Sequence, residues 1–309
     1  MSPRRATAAA GALLAVTLAF ALMASAGPAR SAAPRSIASR TRTLERAVAA
    51  GVAPIVRRST GGQIYDVHAR LLVEGHHRLR PRIELTIQLD GVTEYQALIH
   101  SRWCPQGCVP VEVPGAGAPV RVLNLEPGGP PQVLLGLANG GANCCFIDQV
   151  FSLEGPQDRV VRTERDFLDV RPRPVDLRHD GHDELHCADA RFLQAGFTDV
   201  AHAAAPIQLL AVSDDSFHDV TDRYPALIRA DATRWRAAFR RHLHNGRGYI
   251  SAWAADEDRL GHERLVARTL LHELHAGHLD GPAGVSVTSA ATFLAQLQRL
   301  LVRLGYTRR

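Results

Sequence analysis

One stretch of the chain concentrates side chains that suit a transition metal. They are His179, Asp180, His182, Asp183, His186 and Cys187. Imidazole and thiolate groups are good ligands for Zn²⁺ or Cu²⁺. Because spacing does not fix the direction of side chains around a bent loop, we favour polar loop residues, one or two of them packed against a sheet. If the groups do converge, residues 176–187 would form the site of a secreted metal-dependent hydrolase.

A second group of histidines imitates a metalloprotease motif without matching it. His272, Glu273, His275 and His278 lie in a helical pattern, but zincins place two histidines four residues apart, and position 276 is Ala. His272 and His275 are therefore expected on an exposed helix face. The chain also contains no Gly-x-Ser-x-Gly elbow, P-loop or dinucleotide fingerprint. No complete catalytic set is apparent, so we do not expect an enzyme.

The five cysteines predict disulfides with one thiol left over. Cys144 and Cys145 are adjacent, and a bond between them would close a strained ring. Two pairings remain open. The favoured one links the Cys104 and Cys108 pair to the Cys144 and Cys145 pair. In the other, Cys104 bonds to Cys108 and Cys187 takes one of the adjacent cysteines.

The N-terminus predicts export. Arg4 and Arg5 precede an apolar and small stretch, residues 6–24, and Ala24-Ser25-Ala26 provides a cleavage site. The apolar core is short for a transmembrane span of about 20 residues. We therefore expect a signal peptide over 1–26, a flexible lead-in over 27–61, and a secreted, extracellular chain without stable membrane insertion after cleavage.

The charge and the length of the chain indicate which partners and how many domains to expect. The formal charge is +5, and basic and acidic residues are interleaved along the chain, so no nucleic-acid-binding stripe is expected. About 280 residues would remain after cleavage, which is room for two domains. Trp103, Trp235 and Trp253 could stack on a sugar or fill cores, and core filling is favoured for the last two.

The hydrophobic periodicity changes once along the chain. Over residues 62–218 apolar residues recur mostly every second position or in short runs, which predicts strands, and Asp90-Gly91 predicts a tight hairpin turn. Over 219–309 the period is helical, with Pro225 suited to a first helical turn. The sequence thus predicts an α+β protein, with a mostly antiparallel β domain followed by a small all-α C-terminal domain.

An internal repeat lies within the β region. Residues 122–133 align with residues 174–185, and each copy is a strand end, a polar loop with a glycine, and another strand. Here the chain resembles the FG-GAP and VCBS repeat proteins, which are secreted or cell-surface chains. Residues 140–145, Gly-Gly-Ala-Asn-Cys-Cys, are similar to a Gly-Gly-Ala-x-Cys-Cys segment of bacterial members. The resemblance covers about residues 118–220.

The resemblance implies blades that carry a calcium loop of the type Asp-x-Asp-x-Asp-Gly-x-x-Glu. Asp176, Asp180, Gly181 and Glu184 stand at matching places, so the three carboxylates are the candidate ligands. Arg178 departs from the pattern, because its cation would repel a divalent ion and could instead bridge Asp176 and Asp180. We expect a loop without metal and therefore no cofactor, with Ca²⁺ as the alternative.

The resemblance also bears on architecture and function. Typical propellers need four to eight blades, whereas this region has room for about three, so we expect partial propeller-like blades capped by helices. Family members are interaction modules. We therefore expect a non-catalytic binding or structural protein of the cell envelope or exterior, with an unknown protein or a carbohydrate as ligand.

Overall fold

The computed structural model describes residues 58–60, 63–65, 67–74, 81–115, 117–141, 144–154, 159–280 and 288–307. All of them belong to one compact unit, Thr43–Arg309. The predicted signal peptide, 1–26, lies outside the described residues, as does the predicted lead-in except for its end.

The first part of the unit consists of antiparallel sheets. The strands are β1 (Arg58–Thr60), β2 (Gln63–Tyr65), β3 (Val67–Glu74), β4 (Arg82–Leu89), β5 (Val92–Leu98), β6 (Val109–Pro110), β7 (Val120–Leu123), β8 (Gln132–Gly141), β9 (Cys144–Glu154), β10 (Arg159–Asp166), β11 (Arg173–Val175), β12 (Glu184–Ala188), β13 (Ile207–Ser213) and β14 (Ser216–Asp219). β1 pairs with β2, and β3, β4 and β5 form a three-stranded sheet. Two further sheets are the meanders β7-β8-β9-β10, with β6 beside β8, and β11-β12-β13-β14.

The alternating pattern of β4 builds the predicted hairpin. Ile83, Leu85 and Ile87 are buried on one face of the sheet. Asp90 and Gly91 connect β4 to β5 with φ of 51° and 82°. Positive φ at both central residues is what a tight type I′ turn requires, so the Asp-Gly prediction is confirmed.

The two aligned segments form equivalent hairpins. Leu123 pairs with Gln132 at the end of β7 and β8, and Val175 pairs with Glu184 at the end of β11 and β12. Each position in the second pair lies 52 residues after its counterpart in the first. The repeat therefore corresponds to the first two strands of each four-stranded meander.

The first residue after each aligned hairpin loop, at the start of the second strand, also has a shared role. The Gln132 side chain accepts a hydrogen bond from the amide of Leu125 at 2.7 Å. The Glu184 side chain accepts one from the amide of Leu177 at 3.3 Å. Leu125 and Leu177 occupy the same place in the repeat, so a side-chain oxygen closes both loops in the same way.

The sheets pack face to face. Ile147 and Phe151 of β9 share one core with β3 and β4, whereas Val150 between them faces a second core shared with β12 and β13. This follows from the alternation of side chains along a strand. The sheet of β7 to β10 is thus covered on both faces. Within the described ranges the sheets do not close into a propeller.

The second part of the unit is helical. The helices are α1 (Pro225–Arg241), α2 (Arg247–Arg259), α3 (Glu263–His275) and α4 (Ala290–Leu304). α4 buries Phe293, Leu297 and Leu300 at helical spacing, as its sequence predicts. None of the described helices is long and apolar enough to span a bilayer. The chain is therefore α+β, with mostly antiparallel sheets followed by four helices, as predicted.

The hydrophobic core crosses from strands to helices. Ile228 of α1 packs with Ile207 and Leu209 of β13. Phe197, in the connection between β12 and β13, meets Phe293 of α4 edge to face, with ring centroids 5.2 Å apart. The element type changes between β14 and α1, near the predicted boundary at 218, but apolar contacts join the two regions.

Candidate functional site

Arg178 occupies the centre of the acidic hairpin loop between β11 and β12. Its Nη2 lies 3.1 Å from Asp180 Oδ2, and its Nε lies 3.2 Å from Glu184 Oε1. The guanidinium therefore bridges Asp180 and Glu184, whereas the sequence suggested Asp176 and Asp180. The expected neutralisation is present, with a different second carboxylate, because pairing of Val175 with Glu184 places that side chain beside the loop.

Asp176 serves the loop backbone. Its oxygens accept hydrogen bonds from the amides of Asp180 at 3.1 Å and Gly181 at 2.9 Å. Desolvation, the largest single cause, raises the pKa of Asp176, but the backbone hydrogen bonds from Gly181, Asp180 and His179 together outweigh it and leave the pKa below its usual value. Gly181 has a φ of 85°, and His179 has a φ of 56°. The carboxylate thus stabilises a loop with two left-handed residues.

Glu184 ties the loop to the helical region. The Glu184 side chain is buried, with 5 % exposure. The hydroxyl of Tyr224, the residue before α1, donates a hydrogen bond to Glu184 Oε1. Burial and this hydrogen bond raise the pKa of Tyr224 to about 12. Glu184 therefore has three kinds of partner: a backbone amide, the Arg178 guanidinium and a phenol.

The three candidate carboxylates lie in one loop but serve different partners. Asp176 binds backbone amides, Asp180 binds Arg178 and the amide of His182, and Glu184 binds Arg178 and Tyr224. Within the described ranges no group of three or more His, Cys, Asp or Glu side chains is arranged to hold a metal ion. The loop's charges are used in holding its own conformation.

His186 and Cys187, which follow the loop, point in different directions. His186 and Cys187 are consecutive on β12, so their side chains lie on opposite faces of the sheet. Burial lowers the pKa of His186 and raises that of Cys187 to about 12. Cys187 Sγ lies 3.3 Å from the carbonyl oxygen of Gln208 in the core. This pair does not form a joint ligand set.

Glu273 of α3 lies in a buried ion pair that the sequence did not indicate. Glu273 accepts hydrogen bonds from Arg236 of α1 at 2.8 Å and from the His278 ring at 2.7 Å. Glu273 is 6 % exposed, whereas His272 and His275 are exposed as predicted. Arg236 lies 37 residues before Glu273, so the helical pattern of α3 alone does not reveal this ion pair.

The cysteine pairing differs from the favoured prediction. Cys104 bonds to Cys108, with Cα atoms 5.2 Å apart, and Cys187 is a free, buried thiol. Cys145 is disulfide-bonded as well. The favoured bridge between the Cys104 and Cys108 pair and the adjacent cysteines is wrong. Of the alternative, the Cys104–Cys108 bond is confirmed, whereas the disulfide of Cys187 is wrong. The turn from Cys104 to Gly107, closed by a backbone hydrogen bond of 2.9 Å, brings Cys108 back to Cys104.

An open cleft lies beside this disulfide. Its volume is about 480 Å³, and its walls come from the start of β4, the end of β5 and the disulfide loop. Polar groups in the lining belong to Arg82, His100, Ser101 and Gln106. Nearby Trp103 is 39 % exposed. A concave surface with apolar walls and a few polar groups is the usual form of a ligand site.

Comparisons with other proteins add no relative. No protein-family model matches this chain, and no curated protein or solved structure is significantly similar to it.

Proposed function

We propose that this chain is a secreted, non-catalytic binding protein that holds its ligand in the cleft beside the Cys104–Cys108 disulfide. The observation that supports this proposal is the cleft itself. It is a concavity of about 480 Å³ between two paired strands and a disulfide-closed turn, which are elements that hold a fixed shape. A wall that is already ordered reduces the entropy lost when a ligand binds.

The contacts of the acidic loop favour binding over catalysis. A metal-dependent hydrolase at residues 176–187 would need carboxylates or imidazoles that converge on an open position. Arg178 instead neutralises Asp180 and Glu184, and Asp176 is engaged by backbone amides. The hydrolase alternative therefore has no supporting contact in this loop, and the same holds for bound Ca²⁺.

The cleft favours a carbohydrate ligand. His100 and Ser101 line the cleft and carry side chains of the kind that exchange hydrogen bonds with sugar hydroxyls. Trp103 does not line the cleft itself but stands in the chain between two lining residues, Ser101 and Cys104, and its indole is 39 % exposed. An aromatic face next to hydrogen-bonding groups suits the alternating apolar and polar surfaces of a sugar ring.

Secretion is part of the proposal and rests on the N-terminal pattern of Arg4, Arg5 and the apolar stretch that follows. The expected mature N-terminus is Gly27. N-terminal sequencing of protein recovered from culture supernatant tests this point, and an intact Met1 would contradict it.

Binding is tested with the secreted chain against a panel of soluble polysaccharides by affinity electrophoresis. Trp103→Ala should weaken the best interaction about tenfold, which corresponds to roughly 1.4 kcal/mol. Leu271→Ala is the matched control, because Leu271 is 52 % exposed on α3 and lies far along the chain from the cleft, whereas Trp103 adjoins lining residues in sequence. Equal retardation of the wild type and Trp103→Ala, or no retardation by any polysaccharide, would contradict the proposal.

A further inference from the structure

A second cluster of polar side chains lies far along the chain from the cleft. It forms where the connection between β12 and β13 meets the connection between α1 and α2. Asp199 and His202 come from the first connection, and His242 and Asn245 come from the second. The proposed carbohydrate site does not involve any of these residues.

Asp199 fixes the orientation of His202. One Asp199 oxygen accepts a hydrogen bond from the backbone amide of His202 at 3.0 Å. The same carboxylate lies 2.8 Å from Nδ1 of the His202 ring. Donation from Nδ1–H to the carboxylate leaves the lone pair of Nε2 free to act as a ligand. In metal sites, the ring nitrogen of a histidine that does not bind the metal usually donates a hydrogen bond to a carboxylate or carbonyl oxygen.

His242 presents a second imidazole next to the first. The two ring centroids lie 6.2 Å apart. A metal–nitrogen bond of about 2.0–2.1 Å puts the centroid of a ligating imidazole about 3.2 Å from the ion. Two rings on one ion, at tetrahedral or wider angles, therefore have centroids about 5 to 6.4 Å apart. The observed separation corresponds to ring directions about 150° apart, which is nearer the trans arrangement of a tetragonal site than a tetrahedral one.

Asn245 brings an amide to the same place. Its Nδ2 lies 3.4 Å from His202 Nε2, and its Oδ1 is buried without a hydrogen-bond partner among the described residues. Reversing the amide would put the unpartnered oxygen, an available ligand atom, beside Nε2. The backbone amide of Asn245 also donates to the carbonyl of His242 at 3.0 Å, so the two residues share one tight turn.

Two glycines allow the two connections to pack closely against their neighbours. A Cβ on Gly248 would lie 2.3 Å from the carbonyl oxygen of His202, so only glycine lets α2 approach that turn. A Cβ on Gly246 would lie 2.4 Å from the Phe239 ring. Close backbone packing thus positions both imidazoles before any ligand binds, which lowers the entropic cost of coordination.

Packing alone does not explain the arrangement. The Tyr249 ring contacts both imidazoles, with centroids 5.5 Å from His242 and 6.4 Å from His202. These ring contacts require neither the Asp199 carboxylate on His202 Nδ1 nor the unpartnered Oδ1 of Asn245, so ring packing does not account for those two features. We propose that His202, His242 and Asn245 bind one late first-row divalent cation, Cu²⁺ or Zn²⁺, with water completing the coordination. Cu²⁺ is expected to bind more tightly, in line with the general order for these ions.

The test uses the full secreted chain without an affinity tag, stripped with EDTA and titrated with Cu²⁺. Electron paramagnetic resonance should show coupling to two imidazole nitrogens at one equivalent of copper. In calorimetry, His202→Gln and His242→Gln should each weaken copper binding at least tenfold, and Asp199→Asn should weaken it about tenfold. His244→Gln, an exposed histidine in the same connection, is the matched control and should leave the affinity unchanged.

The proposal is overturned if the wild type shows no coupling to two nitrogens. It is also overturned if the double variant His202→Gln with His242→Gln binds copper as tightly as the His244→Gln control. The spectrum of the wild type decides the question even if a variant folds poorly. Polysaccharide binding is measured in a separate assay. The carbohydrate proposal and the metal proposal can therefore fail independently of each other.

Discussion

The Tyr224 hydroxyl donates a hydrogen bond to Glu184, across 40 residues of sequence. Tyr224 immediately precedes α1, and Glu184 begins β12. The same carboxylate accepts from Arg178. A single buried acid thus connects a hairpin loop, a sheet and the start of the helices. The acidic residues that resemble a calcium loop have a structural use here, and the first prediction follows from it.

The first prediction concerns calcium. Millimolar Ca²⁺ should leave the thermal midpoint of the wild type unchanged, because Arg178 already neutralises Asp180 and Glu184. Arg178→Asp should lower stability without calcium and regain it with calcium. A site with a Kd of about 0.1 mM would add roughly 1.4 kcal/mol at 1 mM ion. Differential scanning calorimetry with Ca²⁺ or EGTA measures both responses.

The control for this series is Arg299→Asp, which makes the same change in charge on the exposed face of α4. It should gain nothing from calcium. A rise of several degrees in the wild type on adding Ca²⁺, reversed by EGTA, would show that the loop binds the ion in spite of Arg178.

The second prediction concerns a buried acid in α2. Asp256 is fully buried, and burial, with the neighbouring Asp231 carboxylate, raises its pKa from 3.8 to about 10. Above pH 4 the unfolded chain loses this proton while the folded chain keeps it, so the residue lowers stability increasingly up to about pH 10. Asp256→Asn should therefore stabilise the protein at pH 7, by about 2 kcal/mol or more.

Urea unfolding at several pH values measures this effect. The advantage of Asp256→Asn over the wild type should be small at pH 4 and should grow toward pH 8. Asp169→Asn is the control, because Asp169 is exposed on the protein surface. A constant difference between Asp256→Asn and the wild type across this range would mean that Asp256 is already ionised in the folded protein.

The third prediction concerns Gly248. Alanine normally favours a helix over glycine by about 1 kcal/mol. At this position a Cβ would lie 2.3 Å from the His202 carbonyl oxygen, so Gly248→Ala should destabilise the protein by about 1 to 3 kcal/mol. Gly129→Ala is the control, since a Cβ there meets nothing within 4 Å. Equal unfolding free energies for both variants would contradict the close packing of α2 on the His202 turn.

The fourth prediction concerns Cys187. Burial raises the pKa of its thiol to about 12, so almost no reactive thiolate exists in the folded protein near pH 8. Iodoacetamide should leave the native, non-reduced chain unmodified and should label one cysteine after unfolding in urea. Peptide mass mapping should place that label on Cys187 and should recover Cys104 bonded to Cys108. A disulfide that contains Cys187 would contradict the structure.

Several features could be predicted because they depend on neighbouring residues. The alternation of Ile83, Leu85 and Ile87 makes one face of β4 apolar, whatever that face packs against. Asp90 and Gly91 favour a tight turn by their own backbone preferences. The aligned loops form equivalent hairpins because each loop is closed by a side chain within its own segment.

Other features could not be predicted because their partners lie far away in sequence. Nothing near Glu273 indicates Arg236, which is 37 residues earlier and meets it only in the folded chain. The favoured prediction of the cysteine pairing was wrong for a related reason. Strain could disfavour one bond, but the actual partner of Cys104 depends on how the chain turns before Cys108.

The sequence alone determined the classes of element, their order and the hairpin repeat, since side-chain periodicity and turn preferences act over a few residues. Tertiary structure decided which charged groups meet. Arg178 turned to Glu184 because strand pairing places that acid beside it, and His202 meets His242 because two connections pack around glycines. These contacts depend on the three-dimensional path of the backbone. A hydrogen bond needs its atoms within about 3 Å, and the attraction between charges depends on their distance in space and not along the chain.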